Sequence, residues 1–378
     1  MVAGAVGVAL WPMLLLGWMT VYPGPAHARL MIHGFFGGFI LGFMGTAMPR
    51  LIDARPFETR EAFGLLALFL AHLVAAACQA ITVADGLFLA EFATLFLLLR
   101  RRCHGTGAVP PPSFALVELG LGSALAGTVL HLVGRKWELP SGIELLARLL
   151  GYHAFVLLSI LGAGGFLLPR FLGLGVRRKL PAGDGATLEW RRAARIARGF
   201  GVVILGSYVL EALGWSGIAG VLRAGLVAGW FWYEMPLERL RWNWAGVQWQ
   251  LLAGLVCIPA GILLAALQPS ARITWLHVEL IGGFALITAG VAARVVYGHS
   301  GGRALLERFH WRLTLAGILM IVALLSRIVG DFVPGIQNSH YLYAALTWLA
   351  GAGVWAACLW PRLARPDPES NADSRPNP

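Results

Sequence analysis

The sequence predicts an all-α membrane protein of about twelve transmembrane helices, arranged as one polytopic domain over residues 1–362. Three observations predict it. Of the 378 residues 58% are hydrophobic and only 13% charged, a balance that no soluble chain of this length keeps in solution. Apolar runs of roughly 17 to 25 residues, the length that crosses a bilayer, recur from end to end. The basic residues fall almost entirely in alternate connections between those runs. Forty-eight glycines would weaken soluble helices, yet between membrane helices small residues permit close approach. Fifteen tryptophans suit anchoring at the membrane–water interface.

Taken in order, the first apolar stretch, 2–22, has no basic region before it and continues at spanning length, so it reads as a helix and not a cleavable signal. The runs at 30–50 and 63–83 follow, the latter parted from 85–101 only by Ala84-Asp85-Gly86. Helices are then expected at 113–133 and 142–171. A basic loop over 172–198 leads to a short helix at 199–213. The remaining runs are 216–233, 246–267, 273–296, 312–332 and 339–360. The tail 363–378, rich in Pro, Asp, Ser and Asn, is expected to be disordered.

Connections after even-numbered helices hold 23 basic residues, against four after odd-numbered ones: Arg29, Arg135, Lys136 and Arg272. By the positive-inside rule the first set is cytoplasmic, and both termini with it. The net charge of +11 follows from this distribution and points to the bilayer and its anionic lipids, not to nucleic acid.

Three helices that descend from the outside carry a histidine followed seventeen residues later by an arginine: His33 to Arg50, His153 to Arg170 and His277 to Arg294. Seventeen residues rise roughly 25 Å, so an arginine at the inner interface sets its histidine near the outer edge of the hydrocarbon. Each helix also holds paired glycines before phenylalanine, at Gly37-Gly38-Phe39, Gly164-Gly165-Phe166 and Gly282-Gly283-Phe284. These are helices two, six and ten, which divides the chain into three pseudo-repeats of four helices.

Ionisable side chains within spans are costly and by default mark function. Arg148, Arg223 and Arg327 lie in the outer parts of their helices, as do Glu91, Glu144, Glu211, Glu279 and Asp331. His33, His131, His153, His277 and His340 share that level, His27 precedes helix two, and His72 lies near mid-membrane. Imidazoles are what iron and copper take where thiolates are lacking, and arginines pair with carboxylates such as haem propionates. The combination suggests a haem facing outward. His27, His131 and His340 stand at helix ends, where they are either ligands or interfacial histidines. His72 is either a ligand or hydrogen-bonded in the core. The three arginines either meet propionates or reach to the headgroups. The four cysteines show no pairing pattern, and Cys103-His104 is not the two-cysteine attachment of a c-type haem, so any haem would be b-type and non-covalent.

The stretch Arg294, Tyr297-Gly298-His299-Ser300-Gly301 and Arg303 resembles the signature of the NnrS proteins, with His277 seventeen residues ahead of the arginine as in that family. Helix two is similar too, in His27-Ala28, Met31, Gly34-Phe35, Gly42-Phe43, Thr46-Ala47 and Pro49, and helix six in Gly164-Gly165 and Pro169-Arg170-Phe171. Departures are Gly302 inserted before Arg303, Ser300 for threonine, Phe166 for arginine, and Arg50-Leu51 after Pro49. The resemblance implies a multi-pass protein of the bacterial inner membrane holding haem and copper. It also implies handling of nitric oxide or a related diatomic in denitrification or nitrosative stress, with an electron donor left open. Three groups of four helices are also distantly like the main subunit of haem-copper oxidases. Helix seven lacks the paired histidines of those enzymes, and helix ten has one histidine, so a respiratory oxidase is rejected. Whether the chain is an enzyme stays open. The alternative from another class is a small-solute transporter that uses the outer polar cluster as its substrate site.

Overall fold

The computed structural model describes residues 1–104, 109–175, 187–241, 247–306 and 308–365. Its long elements are all helices, numbered here α1 (Val2–Leu15), α2 (Gly24–Leu51), α3 (Thr59–Ala77), α4 (Ile81–Cys103), α5 (Phe114–Gly134) and α6 (Ser141–Phe171). They continue as α7 (Leu188–Ala212), α8 (Ser216–Glu234), α9 (Gln248–Leu267), α10 (Pro269–His299), α11 (Trp311–Phe332) and α12 (Pro334–Leu363). Among the described residues ten helices, α2 to α7 and α9 to α12, are long and apolar enough to cross a membrane. The other two stand where spans were expected. α1 has only 14 residues, and in α8 Arg223 and four glycines dilute the apolar character. The outside of the bundle is apolar: Phe63, Leu66, Leu70 and Val74 of α3 are exposed, a surface that lipid accepts and water does not.

Several boundaries differ from those the sequence predicts. The expected break at Ala84-Asp85-Gly86 lies inside α4; the chain turns instead at Cys78 to Ala80, with Gln79 at φ +61. α1 stops at Leu15, before Gly17 at φ +76. α7 begins at Leu188, where Thr187 caps it by accepting from the Trp190 amide, so Arg191 to Arg198 lie on helix and not in a loop. Its basic turns hide this in sequence, while Trp190, Ala193 and Ala197 bury the opposite side. The predicted tail 366–378 and the central part of the basic loop, 176–186, lie outside the described residues.

Each of α2, α6 and α10 opens into a π-helical segment: Leu30–Phe36, Leu149–Ala154 and Val278–Ala285. π-segments are rare and concentrate at functional sites, because the wider turn re-aims side chains. His33 and His153 lie within theirs, and His277 directly precedes the third. Two of these helices, α6 and α10, are also the most buried. Of the apolar windows, that of α6 is 72% buried and that of α10 56%, against 17% for α3.

The packing closes on itself. α4 packs on α5, α8 on α9, and α12 returns to α1, while α3, α7 and α11 each pair with the helix that follows. Since lipid is as apolar as leucine, these contacts hold by close packing and not by exclusion of water. Phe36 of α2 meets Phe284 of α10 at 5.9 Å, and Phe92 of α4 meets Phe155 of α6 at 5.2 Å. α5 and α6 approach backbone to backbone at Gly127, where a Cβ would fall 2.3 Å from the Gly151 nitrogen.

Candidate functional site

The end of the bundle at which α2, α6 and α10 begin carries three polar compartments. In the first, Arg29 of α2 grips Asp85 of α4 with both arms, Nε to Oδ1 at 2.6 Å and Nη2 to Oδ2 at 2.7 Å. Arg29 is 4% exposed and Asp85 fully buried. Arg135, at the end of α5, stands 3.8 Å from the same carboxylate. One turn deeper lie His33, His72, Glu91 and Tyr152, with His131 beside the tyrosine.

His33 is stacked on Phe88 at 3.7 Å, and its Nε2 lies 3.3 Å from the Gly151 carbonyl. A carbonyl only accepts, so Nε2 carries the hydrogen and Nδ1 holds the lone pair. That buried Nδ1 has no partner among the described residues. His72 lies 6.0 Å away, ring to ring, its Nδ1 3.3 Å from Glu91 Oε2 but out of line for a hydrogen bond. Both residues are fully buried. Polar atoms left so in a dry interior are costly, and they mark a place where something else completes the bonding.

The second compartment lies between α6 and α10. Glu211, at the end of α7, takes Arg223 of α8 at 2.7 Å and Arg272 of α10 at 2.5 Å. Arg223 also donates to Ser207 at 2.9 Å and lies flat on Tyr208 at 3.6 Å. Below them His153 Nδ1 stands 3.7 Å from Oε2 of Glu279, which is 2% exposed.

In the third, Asp331 of α11 receives Arg327, Thr274 and Tyr341, and Arg327 stacks on the Tyr341 ring at 4.1 Å. His277 and His27 lie within electrostatic reach of each other and of Arg327. His277 Nδ1 donates to the Ile273 carbonyl at 2.7 Å, and His27 Nδ1 donates to the Gly7 carbonyl at 2.9 Å. Both bonds fix the tautomer and leave the lone pair on Nε2.

The seven predicted histidines therefore do not form one cluster. His33, His72 and His131 share a compartment, His153 pairs with Glu279, His27 stands near His277, and His340 turns to Ser326 at 3.1 Å. Among the described residues no group of three or more His, Cys, Asp or Glu side chains is arranged to hold one metal ion. Of the three arginines, Arg223 and Arg327 are engaged by carboxylates, and Arg148 is exposed. The sequence reading placed Arg29 and Arg272 in connections and Asp85 in a turn, and so missed the pairs they make. One signal was available: each inner histidine follows an arginine by one helical turn, as Arg29/His33, Arg148/His153 and Arg272/His277.

A family profile described as NnrS protein matches residues 1–367. The chain belongs to the NnrS family. No curated protein matches it. In this NnrS-family chain the signature stretch lies at the far end of α10 from the histidines. α10 ends at His299, Gly301 turns the chain at φ +68, and a Cβ on Gly302 would fall 2.4 Å from Arg362 Nη1. Arg362 stacks on Tyr297 at 4.0 Å, and the Tyr297 hydroxyl meets His310 Nε2 at 2.9 Å. The inserted Gly302 thus makes room for a clamp between the α10–α11 connection and α12.

Proposed function

We propose that this NnrS-family chain is a twelve-span protein of the bacterial inner membrane with both ends in the cytoplasm. It is built as three pseudo-repeats of four helices, and it holds haem and copper to bind nitric oxide or a related nitrogen species. Family membership, the three π-segments beside His33, His153 and His277, and the closed ring of helices support the reading. The observation that carries it is the set of buried imidazole nitrogens, His33 Nδ1, both of His72 and His131 Nε2, without a hydrogen-bond partner among the described residues.

The donor sets fit the two groups differently. His27 and His277 present Nε2, the less hindered nitrogen, with Nδ1 tied to a backbone carbonyl, and they are the residues that would hold a haem iron. His33 offers the more hindered Nδ1 in a compartment packed by Phe88 and Tyr152, together with His72, which suits a compact ion such as copper. Arg223 and Arg327 already bond carboxylates, so neither is free for a propionate unless those pairs rearrange. Haem iron, when bound, supplies direct coordination of a diatomic ligand. The chain's own part is to hold the imidazoles in fixed tautomers, to seal the His33 compartment with aromatic rings, and to keep its buried charges paired.

The test is a visible spectrum with iron and copper analysis on protein purified in mild detergent after haem-replete expression. We expect a haem absorption that shifts on addition of nitric oxide. His277→Ala should lower the haem content about tenfold, and His33→Ala should do the same for copper with haem retained. A colourless wild-type preparation, or one whose spectrum ignores nitric oxide, defeats the proposal.

A further inference from the structure

A cavity opens between α6, α8, α9 and α10, lined by His153, Glu211, Arg223, Arg272 and Glu279 and walled by apolar residues such as Ile262. Its charges are arranged in depth. Both oxygens of Glu211 are spent, one on each arginine. Glu279, 2% exposed, keeps Oε1 without a partner among the described residues, and its Oε2 is beyond hydrogen-bond distance from His153 at 3.7 Å. Arg272 stays 28% exposed, and its bond among the described residues runs through Nη1 to Glu211, which leaves its other edge for a ligand.

Two arginines oppose two carboxylates in the lining, so the cavity is strongly dipolar and favours neither sign of charge alone. An anion would meet Glu279, and a simple cation would meet two guanidinium groups. The matching ligand is itself neutral overall and carries a donor cation at one end and a carboxylate at the other. Arg272 and Glu279 lie seven residues apart on α10, two turns along one side and roughly 10 Å of rise, a gap their side chains and a short molecule can span. We infer that this cavity binds a small zwitterion of the amino-acid class, its ammonium group on Glu279 and its carboxylate on the free edge of Arg272. The cavity shares His153 with the candidate imidazoles, but the ligand contacts proposed here fall on Glu279 and Arg272, and the heat of binding reads them separately from metal content.

Isothermal titration of the purified full chain in detergent with glycine, β-alanine and γ-aminobutyrate tests the inference, because the series varies the separation of charges. Acetate and methylammonium serve as single-charge controls. At least one zwitterion should bind saturably, and both controls about tenfold more weakly or worse. Glu279→Gln and Arg272→Gln should each weaken the best zwitterion about tenfold, while Arg101→Gln, on an exposed residue of α4 outside the cavity, leaves it unchanged. Should Arg272→Gln fail to fold, Glu279→Gln decides alone, because it leaves both Glu211 bonds in place. Three results each overturn the inference: no saturable heat from any zwitterion, acetate or methylammonium binding as tightly as the best of them, or an unaltered affinity in Glu279→Gln. None of these bears on haem or copper, which the spectrum and metal analysis address separately.

Discussion

Asp85→Ala should be among the most damaging single substitutions in the chain, costing about 3 to 5 kcal/mol, the usual penalty for stranding one partner of a buried ion pair. The reason is Arg29. With 4% of its surface exposed and both arms on Asp85, its guanidinium has no comparable acceptor among the described residues, where its one further bond is to the Pro25 carbonyl at 3.1 Å. Arg135 would gain nothing, since it too faces that carboxylate from 3.8 Å. Glu138→Ala, at an exposed position outside the helices, should be nearly silent. The double variant Arg29→Met/Asp85→Leu should recover most of the loss, because the cost comes from an unpaired charge and not from a missing shape. Thermal unfolding in detergent of the four proteins measures this. If Asp85→Ala melts with Glu138→Ala, the pair is not the buried anchor described here.

That anchor was invisible in the sequence, and the reason is physical. A bilayer of fixed thickness imposes a length on every span, so apolar runs disclose that α2 to α12 exist. It imposes nothing on where a helix that outruns the hydrocarbon begins. α7 therefore continues through four arginines that composition assigns to a loop. Asp85-Gly86 has the chemistry of a turn and reads as one locally. Only a partner 56 residues away makes a buried helical aspartate tolerable.

The site divides the same way. The recurrence of histidine and arginine at seventeen residues picked out α2, α6 and α10, and these prove to be the helices with π-segments. The spacing holds because each helix must carry a side chain from one interface almost to the other. Nothing in the residues announces a π-turn, and that extra residue rotates all that follows, so which way His33, His153 and His277 face was not legible. Arg223 and Arg327 stand on plain α-helices, and there what the residues did not disclose was the carboxylate each meets, Glu211 and Asp331.

The close approach that sets one of these rotations yields a second sharp expectation. A Cβ on Gly127 of α5 would lie 2.3 Å from the nitrogen and 2.6 Å from the Cα of Gly151, and 2.8 Å from the Ala147 carbonyl. All three are backbone atoms, which cannot turn aside as a side chain would, so Gly127→Ala must push α5 and α6 apart. Overpacking of this kind costs about 1 to 3 kcal/mol and more where only backbone can yield. The contact is not symmetric. A Cβ on Gly151 meets nothing nearer than Gly127 carbon at 3.6 Å, so Gly151→Ala should be tolerated. Gly122→Ala, with nothing within 4 Å and an exposed position on the same helix, should be neutral or slightly stabilising through helix propensity. Because the Gly151 carbonyl receives His33 Nε2, prying α6 away from α5 should also release that imidazole, and if the proposed copper is held there Gly127→Ala should lose it along with stability. Melting temperatures and metal content of the three alanine variants, taken together, decide it. Equal behaviour of Gly127→Ala and Gly151→Ala would mean that the two helices do not cross as tightly as this, and that His33 is held by something other than their contact.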